Sequence, residues 1–82
     1  MAPTKTFPQV MREKMAQEGL TQSALASALG TSEANVSRWS LGKAVPSPEF
    51  YEVICRFFGI DFDQLGAHIL STEYARWKRG PL

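Results

Sequence analysis

Leu20-Thr21-Gln22-Ser23-Ala24-Leu25-Ala26-Ser27-Ala28-Leu29-Gly30-Thr31-Ser32-Glu33-Ala34-Asn35-Val36-Ser37-Arg38-Trp39 contains two short helical patterns and a tight turn between them. Thr21 offers a side-chain oxygen to the unbonded N–H groups of a helix start, and Leu25, Ala26 and Leu29 follow at helical spacing. Position 24 is Ala, so the Glu or Gln of a full capping box is missing. Gly30 stops the first pattern after about two and a half turns. Only Thr31 separates it from Ser32, the next N-cap. The second pattern runs from about Glu33 to Ser40, with Val36 and Trp39 pointing inward. At ~100° per residue the opposite side carries Ala34, Ser37, Arg38 and Leu41, with Glu33 and Asn35 on its shoulders. Two helices that cross steeply need a small residue at their contact, here Ala26, and a turn residue that tolerates a left-handed backbone, here Gly30.

Moving outward, residues 1–6 read as an irregular arm with Pro3 and Lys5. A first helix begins near Phe7 or Pro8, where proline suits the opening turn, and Phe7, Val10, Met11 and Met15 form its apolar stripe up to Gly19. On the other side, Gly42 closes the third helix and Lys43-Ala44-Val45-Pro46 is a loop, extended before its proline. Ser47-Pro48-Glu49 predicts a helix start with Ser47 as N-cap. Phe50, Val53, Ile54, Phe57 and Phe58 give that fourth helix a wide buried face ending at Gly59. Asp61 and Gln64 predict a capping box for a fifth helix carrying Phe62 and Leu65. No useful strand-like alternation occurs. The expected fold is all-α: five short helices with tight links, plus an extra C-terminal helical segment. The expected organisation is an arm over 1–6, a helix-turn-helix domain over 7–68 and a C-terminal segment over 69–82.

At 82 residues the chain holds one small domain. Its 44% apolar content supports a core, and 21% charged residues argue against wholesale disorder. No apolar run approaches a membrane span, and Met1 to Pro8 lacks a signal-peptide core. One cysteine, Cys55, permits neither an internal disulfide nor a zinc site built on cysteines. One histidine, His68, leaves no histidine cluster for a metal or a triad. Secretion, membrane insertion and most hydrolytic chemistry are thereby disfavoured; no enzyme, cofactor or metal is expected. The net charge of +1 is a weak sign of a nucleic-acid partner, but its distribution is uneven. Ala34 to Ser47 holds Arg38 and Lys43 and no acid, and Tyr74 to Leu82 holds Arg76, Lys78 and Arg79 and no acid. The acids gather between Glu49 and Asp63, opposed only by Arg56. The pattern predicts one basic face on a nearly neutral molecule.

A helix pinned from behind, with a small and polar front, can enter a major groove ~12 Å wide. Here the residues resemble the phage repressor/Cro helix-turn-helix family, also called the XRE type. The likeness rests on the segment from Leu20 to Trp39 and continues through Gly42-Lys43 and Pro46-Ser47-Pro48 to Phe58-Gly59-Ile60-Asp61. It covers roughly residues 7–66. The resemblance implies a lambda-repressor-like fold and a double-stranded DNA partner. It further implies that Gln22 contacts phosphate at the start of the second helix. Glu33 and Ala34 then match the first base-reading positions, Ser37 and Arg38 the next outward turn, and Lys43 a backbone-contacting position. The chain departs from the pattern at Ala34 and Leu41, where the family often has Asn or Gln.

Each residue also has a plainer reading. Arg38 can fork onto guanine O6 and N7, or be a solvated surface charge. Glu33 can accept from a cytosine amino group, or favour the positive end of its own helix. Ala34 can touch a thymine methyl or leave room. Asn35 and Ser37 can reach bases or phosphates. Gln22 and Lys43 position without reading sequence. Trp39 is core. Cys55 is a small buried hydrophobe, and His68 is structural or exposed.

Ile69, Leu70, Tyr74 and Trp77 roughly keep helical spacing beyond what five helices need. They predict a dimer interface across a two-fold axis; the alternative is a segment folded back on helices one and five. Arg76, Lys78 and Arg79 either add phosphate contacts or solubilise the end. The resulting expectation is a sequence-specific transcriptional regulator, a repressor by default. It binds as a homodimer to half-sites about 10 bp apart, in a bacterial or phage-derived, cytoplasmic, nucleoid-associated setting. Alternatives of the same fold are an antitoxin or restriction-control protein with a protein partner, and an interaction module without DNA binding.

Overall fold

The computed structural model describes residues 5–78. Thr6 opens the first helix with a reciprocal pair: Gln9 N–H donates to Thr6 Oγ1 at 3.4 Å, and Thr6 N–H donates to Gln9 Oε1 at 2.8 Å. Two otherwise unbonded donors are satisfied this way. The helix, α1, spans Phe7–Glu18. The Thr6-x-x-Gln9 spacing is a local signal that a search for apolar periodicity passes over.

The next two helices are α2, Gln22–Leu29, and α3, Glu33–Ser40. Pro48–Phe50 forms a single 3-10 turn and leads into α4, Tyr51–Phe58. Ser47 occupies the N-cap with Pro48 after it, as expected, but its side chain makes no cap hydrogen bond. The Phe50 N–H, which such a cap would bond, donates instead to the Ser47 carbonyl at 3.0 Å and closes the tighter turn. The last helix, α5, spans Phe62–Lys78. Its capping box at Asp61 forms as expected, with Gln64 N–H donating to Asp61 Oδ1 at 2.7 Å and Asp61 N–H to Gln64 Oε1 at 2.9 Å. The described residues contain no strand.

One core joins all five helices. Phe7 lies at its centre, fully buried, edge-on to Trp39 at 6.3 Å and stacked with Phe58 at 6.3 Å. Such offset and T-shaped pairs add to the burial of the rings. Met11, Leu25, Leu29, Val36, Ile54 and Leu65 complete the apolar contacts. Cys55 is buried, as expected, on the inner side of α4. Burial pushes its thiol above the ordinary value, and the Asp61 carboxylate pushes in the same direction. The thiol stays protonated and behaves as a small apolar group.

In α5 the structure revises two expectations. α5 runs without a break through Gly66, so the boundary drawn between 68 and 69 falls inside one helix. Ile69, expected at a dimer interface, is only 8% exposed and belongs to the core. Phe62 is 60% exposed, because the inward positions of this helix are taken by Leu65, Ile69 and Thr72. His68 has a partner: its Nδ1 lies 2.8 Å from the Lys5 carbonyl. Beside it the buried Thr72 hydroxyl accepts from the Phe7 N–H at 2.8 Å and donates to the His68 carbonyl at 2.8 Å. The middle of α5 is thereby tied to the start of α1, while Leu70, Tyr74 and Trp77 remain exposed on its outer side.

Candidate nucleic-acid interface

α3 is held at its start, its back and its end. At the start, Ser32 Oγ accepts from the Asn35 N–H at 3.1 Å. The preceding turn is set by Gly30 at φ 73°, after which the Thr31 N–H donates back to the Ala26 carbonyl at 2.9 Å. A side chain bearing a Cβ is strained at that φ, which is why the turn takes glycine. Along the back, Val36 is fully buried, and Trp39 meets Phe50 edge-on at 5.5 Å as well as Phe7. At the end, Gly42 at φ 74° lets the Lys43 N–H reach the Arg38 carbonyl at 2.9 Å and its own N–H reach the Trp39 carbonyl at 3.2 Å. This double closure satisfies two of the last carbonyls.

Arg12 supplies a further restraint that local sequence does not reveal. Its Nη1 crosses from α1 to donate to the Ser40 carbonyl at 2.9 Å. A guanidinium there also complements the negative end of the α3 dipole. Arg12 lines a cleft of about 280 Å³ together with Leu41, Gly42 and Arg76. The cleft brings Arg76, from the far end of α5, close to the end of α3.

The front of α3 carries the residues singled out from sequence. Glu33, Ala34 and Arg38 are exposed, as are Gln22 on the first turn of α2 and Lys43 after α3. Ser37 and Asn35 are half-buried. Two of these side chains are joined: Arg38 Nη2 donates to Asn35 Oδ1 at 2.6 Å. Asn35 Nδ2 in turn donates to Thr31 Oγ1 at 2.8 Å. Thr31 was not among the expected site residues; the spacings i, i+4 and i, i+3 from it to Asn35 and on to Arg38 were its only signal. Lys78 is exposed, and Arg79 lies outside the described residues.

A rigid helix with an apolar back and an exposed front bearing a guanidinium, a carboxylate and a methyl group can offer donors, an acceptor and an apolar contact to base edges. The family model described as helix-turn-helix, HTH_3, matches residues 11–65, more than half of the chain. The chain belongs to this family. It is the XRE type, similar to Cro and cI repressors, and the lambda-repressor-like expectation for the fold holds. The match makes the HTH_3 chain a DNA-binding helix-turn-helix regulator. It covers α2, α3 and α4 entire, from Met11 in α1 to Leu65 in α5. No curated protein and no solved structure matches the chain. Among the described residues no helix is long and apolar enough to cross a membrane.

Proposed function

We propose that the protein is a sequence-specific transcriptional regulator that binds a two-fold operator as a homodimer, with α3 in the major groove of each half-site. The observation that carries this reading is the division of α3 into a pinned back, Val36 and Trp39, and an exposed front, Glu33, Ala34 and Arg38. Arg38 reads a guanine, and Gln22 and Lys43 hold phosphates on either side. Glu33, Ala34 and Ser37 shape the remaining contacts with the bases. Occupying a promoter in this way excludes polymerase, so repression is the default outcome, and the site of action is the cytoplasm.

The dimer reading draws on α5. Leu70, Tyr74 and Trp77 follow at i, i+4 and i+7 on a 17-residue helix whose other side is already in the core. A second copy covers this face and brings two α3 helices onto one side of a duplex. Half-sites about one turn apart, ~10 bp, follow from such symmetry.

Selection of bound duplexes from a random pool tests both parts together. The expected product is an inverted repeat with a G·C pair fixed in each half. The substitution Arg38→Ala is expected to relax that pair by about 1–3 kcal/mol while leaving the other pairs selected. Recovery of no common sequence would overturn the reading. Recovery of a single unrepeated half would retain DNA recognition and remove the dimer.

A further inference from the structure

Asn35 was expected to touch a base or a phosphate directly. Its side chain has a different set of partners. The carboxamide donates from Nδ2 to Thr31 Oγ1 and accepts at Oδ1 from Arg38 Nη2. A carboxamide that reads adenine needs both of those ends for the base. In this arrangement both ends are bonded within the helix-turn unit, and the side chain is half-buried. Thr31 itself is fixed by its backbone bond to the Ala26 carbonyl at 2.9 Å. A continuous line of hydrogen bonds therefore leads from the turn, through Asn35, to the guanidinium of Arg38.

We infer that Asn35 is a positioning residue: it holds the Arg38 guanidinium in place for a guanine and does not itself read sequence. The inference rests on the proposed role of Arg38. Arginine loses rotamer freedom when it docks on a base, and a side chain already held in place loses less. A guanidinium has five N–H donors, so one bond to Asn35 leaves enough for a bidentate contact with O6 and N7. The oxygen of Asn35 also accepts no proton at neutral pH, so the restraint works without adding a charge beside the phosphates. Arginine only donates, so it sets which end of the amide faces it: Oδ1 accepts from Arg38, and Nδ2 is left to donate to the Thr31 hydroxyl, which anchors the side chain to the turn.

The experiment compares the full chain with Asn35→Ala, Arg38→Ala, the double variant, Thr31→Val and Thr31→Ser. Each is titrated with the selected operator, with operators altered at one base pair at a time, and with a random duplex. Asn35→Ala is expected to lower the preference at the Arg38 pair about two- to tenfold, the range for ordering one long side chain. Random-duplex affinity and salt dependence stay as in the unsubstituted chain. The double variant discriminates no worse at that pair than Arg38→Ala alone, since the two residues act as one unit. Thr31→Val repeats the Asn35→Ala loss in weaker form, and Thr31→Ser restores it. Loss of preference at a different pair in Asn35→Ala would mean that Asn35 reads a base, and would overturn the inference. Full retention at the Arg38 pair would overturn it as well. Equal operator and random-duplex losses in Arg38→Ala would remove the role of Arg38 itself, a distinct failure read from the single variant. Thermal unfolding of each variant identifies any loss that comes from misfolding.

Discussion

α3 and α5 both bury one face in the same core, and they differ in what they do with the other. The outer side of α3 is small and polar: Glu33, Ala34, Ser37 and Arg38. The outer side of α5 carries Leu70 at 68% exposure, Tyr74 at 60% and Trp77 at 68%, with the two rings 6.0 Å apart. A helix whose second face is polar is complete as a piece of fold, and that face suits a hydrated, charged ligand. A helix whose second face is apolar has surface still in water that a further apolar partner would cover. On the function proposed above, the chain divides two tasks between two helices: α3 contacts nucleic acid, and α5 gathers copies of the protein.

The largest expected effect comes from breaking the buried side of α3. Trp39→Ala removes an indole that is 3% exposed and should cost about 3–5 kcal/mol. Against the ~0.05–0.15 kcal/mol per residue typical of small domains, that is a large part of the total. Thermal unfolding should fall steeply, whereas Arg38→Ala, on the opposite side, should stay within ~0.5 kcal/mol of the unsubstituted chain. Equal losses for both would erase the distinction between the two sides of α3.

Next in size is the outer side of α5. Leu70→Glu places a charge where a second copy would bury a leucine, and should weaken self-association by about 1.5–3 kcal/mol per copy. Sedimentation equilibrium should show a shift toward monomer with the unfolding temperature of the monomer little changed. If Leu70→Glu and the unsubstituted chain associate equally, the two-copy interface is not on this face.

Lys43→Ala gives a smaller change, visible mainly in salt dependence. Loss of one phosphate contact lowers the slope of log affinity against log salt by about 0.9, on operator and random duplex alike. A loss confined to the operator would make Lys43 a reader of sequence and not a phosphate contact.

The smallest effect belongs to the core itself. Cys55 has its thiol pushed above the ordinary 9.0 by burial and by Asp61. The folded state therefore favours the protonated form, so this contribution is fully present below the unfolded value and is lost as pH rises through the folded one. Denaturant titrations across that alkaline window should show the unsubstituted chain losing stability faster than Cys55→Ala. Parallel curves would mean that the thiol ionises as readily in the folded protein as in the unfolded one.

Much of this division was legible locally. Thr21, Ser32 and Asp61 each cap through their side chains as the spacing indicates. Gly30 and Gly42 take the left-handed backbone that ends one helix and aims the next. Val36 and Trp39 fall inward from periodicity alone. The candidate interface was legible to the extent that Glu33, Ala34 and Arg38 lie opposite them. The joining of Asn35 to Arg38 was not, because spacing says which side chains are neighbours and not which hydrogen bonds they choose.

Sequence by itself thus determined the helix starts at Thr21, Ser32 and Asp61, the turn between α2 and α3 and the inward side of α3, since all of these depend on residues a few positions apart. Tertiary structure alone decided that Ile69 enters the core while Phe62 does not, that Thr72 bonds the Phe7 N–H, and that Arg12 holds the Ser40 carbonyl. These contacts join residues as many as 65 positions apart. Which of two apolar side chains is buried depends on the neighbouring helix already in place, and hydrogen bonds across helices form only after packing brings the partners within reach.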